Sequence, residues 1–191
     1  MDKKDVIAFF DEMAEIWDGM QIRNEDVIAE ILAEGGIRQG VKVLDIACGT
    51  GVLFPDYLSL GAEITGIDIS ENMVKAAKEK FPEVRVICGD AAEYNFEDEF
   101  DAVMIYNAFP HFTEPEKLIK NLSGSLKEKG RLTVAHGISE KELAECHSGR
   151  AKNISVPLVK KEVLAEMLNH YFDVDVLISD ERMYMVSGVK K

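Results

Sequence analysis

Two spacings of apolar residues divide the chain into strands and helices. Short apolar runs bounded by turn residues predict seven strands, and apolar residues three or four positions apart predict the helices between them. The predicted strands are residues 43–46, 63–68, 84–88, 100–106, 131–136, 172–178 and 183–189. Alternating strands and helices are typical of an α/β fold with a parallel sheet. A turn at residues 179–181 makes the last two strands a hairpin, so the last strand is predicted to be antiparallel.

The first 34 residues carry two amphipathic stripes, which predict two helices. The stripes consist of Phe9, Phe10, Met13, Ile16, Trp17 and Met20, and of Val27, Ile28, Ile31 and Leu32. Further along, a hydroxyl residue three positions before a glutamate predicts a helix start at Thr113 and another at Ser139. The first of these helices is expected to include Leu126 and to end at Gly130.

Length and composition predict a single domain, residues 1–191, because 47% of the 191 residues are apolar and can form one full core. We expect an α/β core over residues 41–191, preceded by an N-terminal helical cap over residues 1–36. The formal net charge of −13 argues against DNA, RNA and anionic membranes as partners, since such polyanions bind cationic surfaces. The charged start and the lack of a long apolar run predict a cytoplasmic protein.

The three cysteines, Cys48, Cys88 and Cys146, are widely spaced and are expected to be reduced thiols. Cys146 and His147 are neighbours, but no third ligand follows at a recognisable spacing, so no metal site is predicted.

The sequence VKVLDIACGTG at residues 41–51 places a buried strand directly before a loop of small residues, where a ligand can approach the backbone. A dinucleotide fingerprint would need a small residue at position 54, and Phe54 is there instead. Asp45, at the end of the strand, suits a positively charged ligand. Asp68 and Asp90 follow the next two strands, so we expect three carboxylates to converge at one edge of a parallel sheet.

The loop resembles the first motif of the class I S-adenosylmethionine-dependent methyltransferases, acidic-x-G-x-G-x-G, through Asp45, Ala47, Gly49 and Gly51. GIDISENM, which contains Asp68, resembles the second motif of that family. The resemblance implies a Rossmann-like, doubly wound, seven-stranded sheet with a reversed last strand, S-adenosyl-L-methionine as cofactor, and methyl transfer as the activity. Ala47 departs from the pattern, which more usually has glycine, and alanine turns tightly where φ is negative.

The resemblance also implies which residues bind the cofactor. They are Asp45, Ala47, Cys48, Gly49, Gly51, Asp68, Ile69, Met73, Asp90, Ala91 and Asn107. Asp68 would accept hydrogen bonds from the ribose hydroxyls, Asp90 and Ala91 would lie at the adenine edge, and Asn107 would lie beside the reacting methyl group.

His111 and His147 are the candidate general bases, because a base near neutrality suits removal of a proton from the acceptor. Small-molecule methyltransferases commonly close an N-terminal cap over the cofactor, so Phe10 and Trp17 are the candidate lid residues. A small-molecule acceptor is therefore predicted, with in-line methyl transfer helped mainly by positioning.

Three other functions stay open from the sequence. A protein methyltransferase would accept a side chain at an open cleft, and a non-catalytic S-adenosylmethionine- or nucleoside-binding module would bind without turnover. A nicotinamide-dependent oxidoreductase is disfavoured by Phe54 and Asp45.

Overall fold

The structure, a computed structural model, describes residues 2–146 and 153–191, and these form one seven-stranded sheet with helices on both faces. The strands are β1 (Lys42–Ile46), β2 (Glu63–Asp68), β3 (Arg85–Cys88), β4 (Phe100–Tyr106), β5 (Leu126–His136), β6 (Phe172–Ser179) and β7 (Tyr184–Lys190). The helices are α1 (Lys3–Met13), α2 (Trp17–Met20), α3 (Glu25–Glu34), α4 (Phe54–Ser59), α5 (Glu71–Lys80), α6 (Pro115–Ser125), α7 (Glu140–Cys146) and α8 (Lys161–Leu168), with a 3-10 turn at Phe109–His111.

The strand order is β3-β2-β1-β4-β5-β7-β6. Strands β1 to β5 pair in parallel, and β7 runs antiparallel to both β5 and β6. The predicted seven-stranded sheet with a reversed last strand is therefore confirmed. Because the chain leaves β1 toward β2 on one side and returns to β4 on the other, a crevice opens at the carboxyl end of β1.

Two apolar layers cover the two faces of the sheet. The first contains the buried residues of α6 and α8, and the second contains those of α3, α4 and α5. Val43 belongs to the second layer and Leu44 to the first, as the alternation of side chains along a strand requires. Residues 25–34, which were assigned to a cap, thus pack as a core helix.

A third, smaller cluster joins α1 and α2 to the rest of the molecule. Met13 and Ala14 pack on Met73 of α5, with Phe9, Phe10 and Trp17 around them. Of the region predicted as a cap, only this segment stands over the crevice. We call residues 3–20 the N-terminal cover.

The start and end of α6 differ from the prediction. The helix begins at Pro115 after Glu114, whose side chain makes no capping bond, so Thr113 lies one residue too early to cap it. Proline is favoured at the first helical position because its φ is already helical, and this outweighs the Thr113 signal. The helix ends at Ser125, since Leu126 is extended and pairs with Phe100.

The helix start predicted at Ser139 is confirmed. The Glu142 backbone N–H donates to Ser139 Oγ at 3.3 Å, and the Ser139 N–H donates to Glu142 Oε2 at 3.0 Å. Among the described residues, no helix has the length and apolar composition that a membrane crossing needs.

Candidate cofactor and acceptor site

A pocket lies at the carboxyl ends of β1, β2, β3 and β4, beneath the N-terminal cover, with about 1170 Å³ of space that is partly open to solvent. It brings together most of the residues predicted for the site. They are Phe10, Trp17, Asp45, Ala47, Cys48, Gly49, Asp68, Ile69, Met73, Asp90, Ala91, Asn107 and His111. His147 lies outside the described residues.

Asp45 is 3% exposed and lines the pocket from within β1. Burial, together with the nearby charge of Asp68, raises the pKa of Asp45 well above the ordinary aspartate value. In the part of the chain that the structure describes, its carboxylate has neither a hydrogen bond nor an ion pair. A buried carboxylate without a partner is costly, so a cation entering the pocket would be strongly attracted to it.

Asp68 links the first two motifs directly. The Gly49 N–H donates to Asp68 Oδ2 at 2.8 Å, and the Ser70 N–H donates to Asp68 Oδ1 at 2.9 Å. Burial raises the pKa of Asp68 to about 6, and these backbone hydrogen bonds oppose the rise. A carboxylate has four lone-pair sites, so two remain for ligand hydroxyls.

The loop after β1 uses left-handed backbone at three positions. Ala47 has φ 53°, Gly49 56° and Gly51 84°. The expectation of a negative φ at Ala47 was wrong, and this explains why glycine is more usual there. A Cβ added at Gly49 would lie 3.4 Å from Trp17 Nε1 of the cover.

Gly51 and Cys48 contribute mainly to packing. A Cβ at Gly51 would lie 2.7 Å from the Phe54 ring, so this glycine allows that ring to pack behind the loop. Gly51 is a predicted cofactor-binding residue that does not line the pocket. Cys48 is buried, and burial raises the pKa of its thiol, so the sulfur is not a reactive group.

Asp90, at the end of β3, is bound from two sides. Its Oδ1 accepts the Ala92 N–H at 2.9 Å, and its Oδ2 accepts a hydrogen bond from Lys3 of the cover. The ion pair with Asp90 raises the pKa of Lys3. The position predicted for the adenine edge therefore also holds the beginning of α1.

Three aromatic rings cross the pocket from the glycine loop to the turn after β4. Trp17 and Phe10 make an edge contact with centroids 5.5 Å apart, and Phe10 and His111 make another at 5.1 Å. Asn107 follows β4 with φ 53°, and its Oδ1 accepts the Gly137 N–H at 3.0 Å. The predicted lid residues and one predicted base are thus neighbours.

Several residues of the pocket were missed by the sequence reasoning, among them Lys3, Gln21, Tyr106 and Glu114. Tyr106 could have been found, because it directly precedes Asn107 at the end of a predicted strand. Lys3 gave no signal, since a lysine at the start of a helix is ordinary on a solvated face.

Comparisons with known proteins agree with this geometry. A family model described as a methyltransferase domain matches residues 44–134. A demethylmenaquinone methyltransferase of Paenarthrobacter aurescens is 32% identical over 139 residues, covering 65% of this chain and 54% of that protein. A second, from Renibacterium salmoninarum, is 31% identical, covering 71% of this chain and 60% of that protein. The chain thus spans little more than half the length of these curated relatives.

Solved structures share the fold. The magnesium protoporphyrin IX methyltransferase of Synechocystis, with bound S-adenosylhomocysteine, superposes with a TM-score of 0.73, 21% identity and 100% coverage of both chains. A chain of the complex that contains the Haloferax volcanii Trm112 methyltransferase activator superposes with a TM-score of 0.78 and 19% identity, covering 95% of this chain and 97% of that chain. A methyltransferase domain therefore spans residues 44–134, and the fold around it is that of S-adenosylmethionine-dependent methyltransferases.

Proposed function

We propose that the protein transfers the methyl group of S-adenosylmethionine to a small-molecule acceptor by in-line displacement. The observation that carries the proposal is the buried carboxylate of Asp45 in the pocket, which has no partner among residues 2–146 and 153–191. S-adenosylmethionine has an ammonium and a sulfonium group, and a cation beside Asp45 would offset the cost of burying its charge.

The other cofactor roles follow from the positions of the predicted residues. Asp68 would accept the ribose hydroxyls with its remaining lone pairs, while its bonds from Gly49 and Ser70 hold the loop in place. Asp90 and Ala91 would lie at the adenine edge, where Lys3 must share the Asp90 carboxylate or move away.

Methyl transfer needs mainly positioning, because the sulfonium leaves as a neutral thioether. Holding donor and acceptor in line supplies roughly 7–11 kcal/mol of the barrier, and excluding water prevents it from competing. The cover, with Phe10 and Trp17 lining the pocket, would provide that enclosure.

A pocket that lies beneath the N-terminal cover favours a small acceptor over a protein side chain. The relatives named demethylmenaquinone methyltransferase make reduced demethylmenaquinone the acceptor to test first. The alternative is a binding module without turnover. In an assay with radiolabelled S-adenosylmethionine, such a module would transfer no label to the acceptor.

The test of the cofactor assignment is Asp45→Asn, measured by calorimetry at pH 8. We expect affinity for S-adenosylmethionine and S-adenosylhomocysteine to fall by roughly 10- to 100-fold, the effect of losing a hydrogen bond to a charged group. Affinity for 5′-methylthioadenosine, which lacks the ammonium, should stay the same. Glu181→Gln, an exposed change, is the matched control. Unchanged affinity for all three ligands would contradict the assignment.

A further inference from the structure

One ring nitrogen of His111 is fixed by a backbone carbonyl. Nδ1 of His111 lies 2.8 Å from the carbonyl oxygen of Ile154. A carbonyl oxygen can only accept a hydrogen bond, so Nδ1 must carry the proton. In the neutral ring the lone pair is then at Nε2, the tautomer that solvent alone disfavours.

The segment that supplies this carbonyl is held against the turn that carries the histidine. The Val156 N–H donates to the Pro110 carbonyl at 2.9 Å, next to His111. Ile154 is 4% exposed, and Tyr184 Oη donates to the Val159 carbonyl at 3.0 Å. These contacts hold residues 154–159, which we call the strap, against the turn after β4 and against β7.

The opposite contact of the ring comes from the cover. Phe10 meets the imidazole edge to face, and both rings line the pocket. The imidazole is thus held between the strap and α1, in a fixed tautomer, at the turn after β4 where the acceptor would enter.

We propose that Ile154 is a positioning residue whose carbonyl holds His111 in the Nδ1–H form, so that Nε2 removes a proton from a phenol- or enol-type hydroxyl of the acceptor. The inference rests on the proposed function and narrows its acceptor. A thiol or neutral amine needs no such base, whereas a phenol with a pKa of about 10 is largely protonated at neutral pH.

The step balances as a proton transfer coupled to a displacement. The hydroxyl proton moves to Nε2, the oxygen becomes a carbonyl, and the electron pair of the adjacent ring carbon forms a bond to the methyl carbon. The carbon–sulfur bond breaks with its electrons going to sulfur. The products are neutral S-adenosylhomocysteine, the imidazolium form of His111 and the C-methylated ketone form of the acceptor, which returns to the phenol when its ring-carbon proton moves to the oxygen.

The first test is the tautomer itself, read from long-range proton–nitrogen correlations of the nitrogen-15-labelled full chain at pH 8. We expect the His111 ring to show a protonated Nδ1 and an unprotonated Nε2, with and without S-adenosylhomocysteine. The ring signals that disappear in His111→Asn are thereby assigned to His111. A ring protonated at Nε2 would overturn the proposal, whether or not the cofactor binds.

The second test separates the role of His111 as a base from the role of Ile154 in positioning it. His111→Asn puts an amide nitrogen near the place of Nδ1, so the bond to Ile154 can persist while Nε2 is lost. Methyl transfer to reduced demethylmenaquinone, a diphenol, should fall 10²- to 10⁴-fold with affinity for S-adenosylhomocysteine within about twofold. His170→Asn, at an exposed histidine, should leave both unchanged. Transfer that survives His111→Asn would overturn the role of the base but leave the methyltransferase proposal standing.

Val156→Pro tests the strap, because proline has no N–H to donate to Pro110. We expect the His111 signals to shift toward a mixture of tautomers and methyl transfer to fall at least tenfold, with cofactor affinity unchanged. An unaltered tautomer together with unaltered transfer would show that the strap does not position the base.

Discussion

At the residue scale, the backbone of Ala47 is the feature that departs from expectation. Its φ of 53° lies in the left-handed region, where a Cβ is crowded by the following carbonyl at a cost of about 1–2 kcal/mol. Neighbouring Asn107 has the same φ at the end of β4, but asparagine tolerates this region better. Of these two residues, Ala47 therefore carries the greater backbone strain.

Ala47→Gly should relieve that strain. We expect the free energy of unfolding to rise by about 1 kcal/mol, measured by urea denaturation, with affinity for S-adenosylhomocysteine retained. Ala29→Gly is the matched control, because Ala29 is exposed in the middle of α3 and should lose about 1 kcal/mol. A loss of stability in Ala47→Gly would mean that its methyl group contributes packing that outweighs the strain.

Asp68 gives stability a predictable dependence on pH. Its pKa of about 6 in the folded protein lies above the ordinary value of 3.8, with burial as the main cause. Its contribution to the free energy of unfolding is therefore fully present below pH 3.8 and is lost as the pH rises through 6. The difference between the two values corresponds to about 3 kcal/mol.

Asp68→Asn should remove this dependence. The free energy of unfolding of the variant minus that of the unmodified protein should rise by about 2–3 kcal/mol from pH 4 to pH 8. The variant also loses a backbone hydrogen bond to the Asp68 carboxylate, and this loss changes the free energy of unfolding equally at pH 4 and at pH 8. Glu181→Gln should show a constant difference, and a constant difference in Asp68→Asn would mean that Asp68 titrates near its ordinary value.

At the scale of elements, the hydrophobic period predicted the strands better than the helix ends. β2 and β4 have the predicted bounds, because buried apolar runs and their flanking turn residues are local features. The limits of α6 depend on Pro115 and on the pairing of Leu126 with Phe100, and the latter is a tertiary contact. The role of α3 was missed for a similar reason, since an amphipathic stripe does not say which surface it covers.

The same distinction applies to the site. Asp45, Asp68 and Asp90 were found because strand ends in a parallel sheet must converge. The Lys3 contact to Asp90 and the Ile154 contact to His111 join residues 87 and 43 positions apart, so no local pattern indicates them. The sequence did not indicate the left-handed φ of Ala47, because alanine in a turn does not by itself predict the sign of φ.

Asp11 is the side chain that fastens α1 to the second motif. Its Oδ1 accepts Ser70 Oγ at 2.5 Å and the Asn72 N–H at 3.1 Å, at the start of α5. Asp11→Ala should weaken docking of the cover, raising amide exchange over residues 3–20 by roughly tenfold, as for loss of a helix cap. Asp5→Ala, on an exposed face of the same helix, should leave exchange unchanged. Equal exchange in both variants would mean that Asp11 does not hold the cover in place.

At the scale of the whole molecule, charge and packing act in opposite directions on the cover. Residues 3–20 hold five acids and two bases, so −3 of the net −13 lies there. Docking brings Asp11 close enough to Asp68 to oppose its ionisation, whereas Asp18 pairs with Lys80 of α5 and accepts a hydrogen bond from Thr50 of the glycine loop. A cationic ligand in the pocket would reduce this repulsion, so cofactor binding and docking of the cover should favour each other.

The cover ends at a firm anchor. Arg23 Nη1 donates to the Val52 carbonyl at 2.6 Å, and Nη2 contacts Asp56 at 2.9 Å, directly before core helix α3. Segments that contribute few buried contacts open at low cost, and such segments gate active sites. Residues before Arg23 can therefore leave without disturbing the sheet.

We expect amide exchange over residues 5–22 to slow when S-adenosylhomocysteine binds, and more strongly when S-adenosylmethionine binds, because only the latter carries the sulfonium charge. Deleting residues 2–22 should leave a cooperatively folding domain that transfers methyl groups poorly, because water enters the pocket and Phe10 no longer contacts His111. Exchange that is the same with and without either ligand would make the cover a static flank. The open side of the cleft could then admit a larger acceptor, and a protein side chain would become the better candidate.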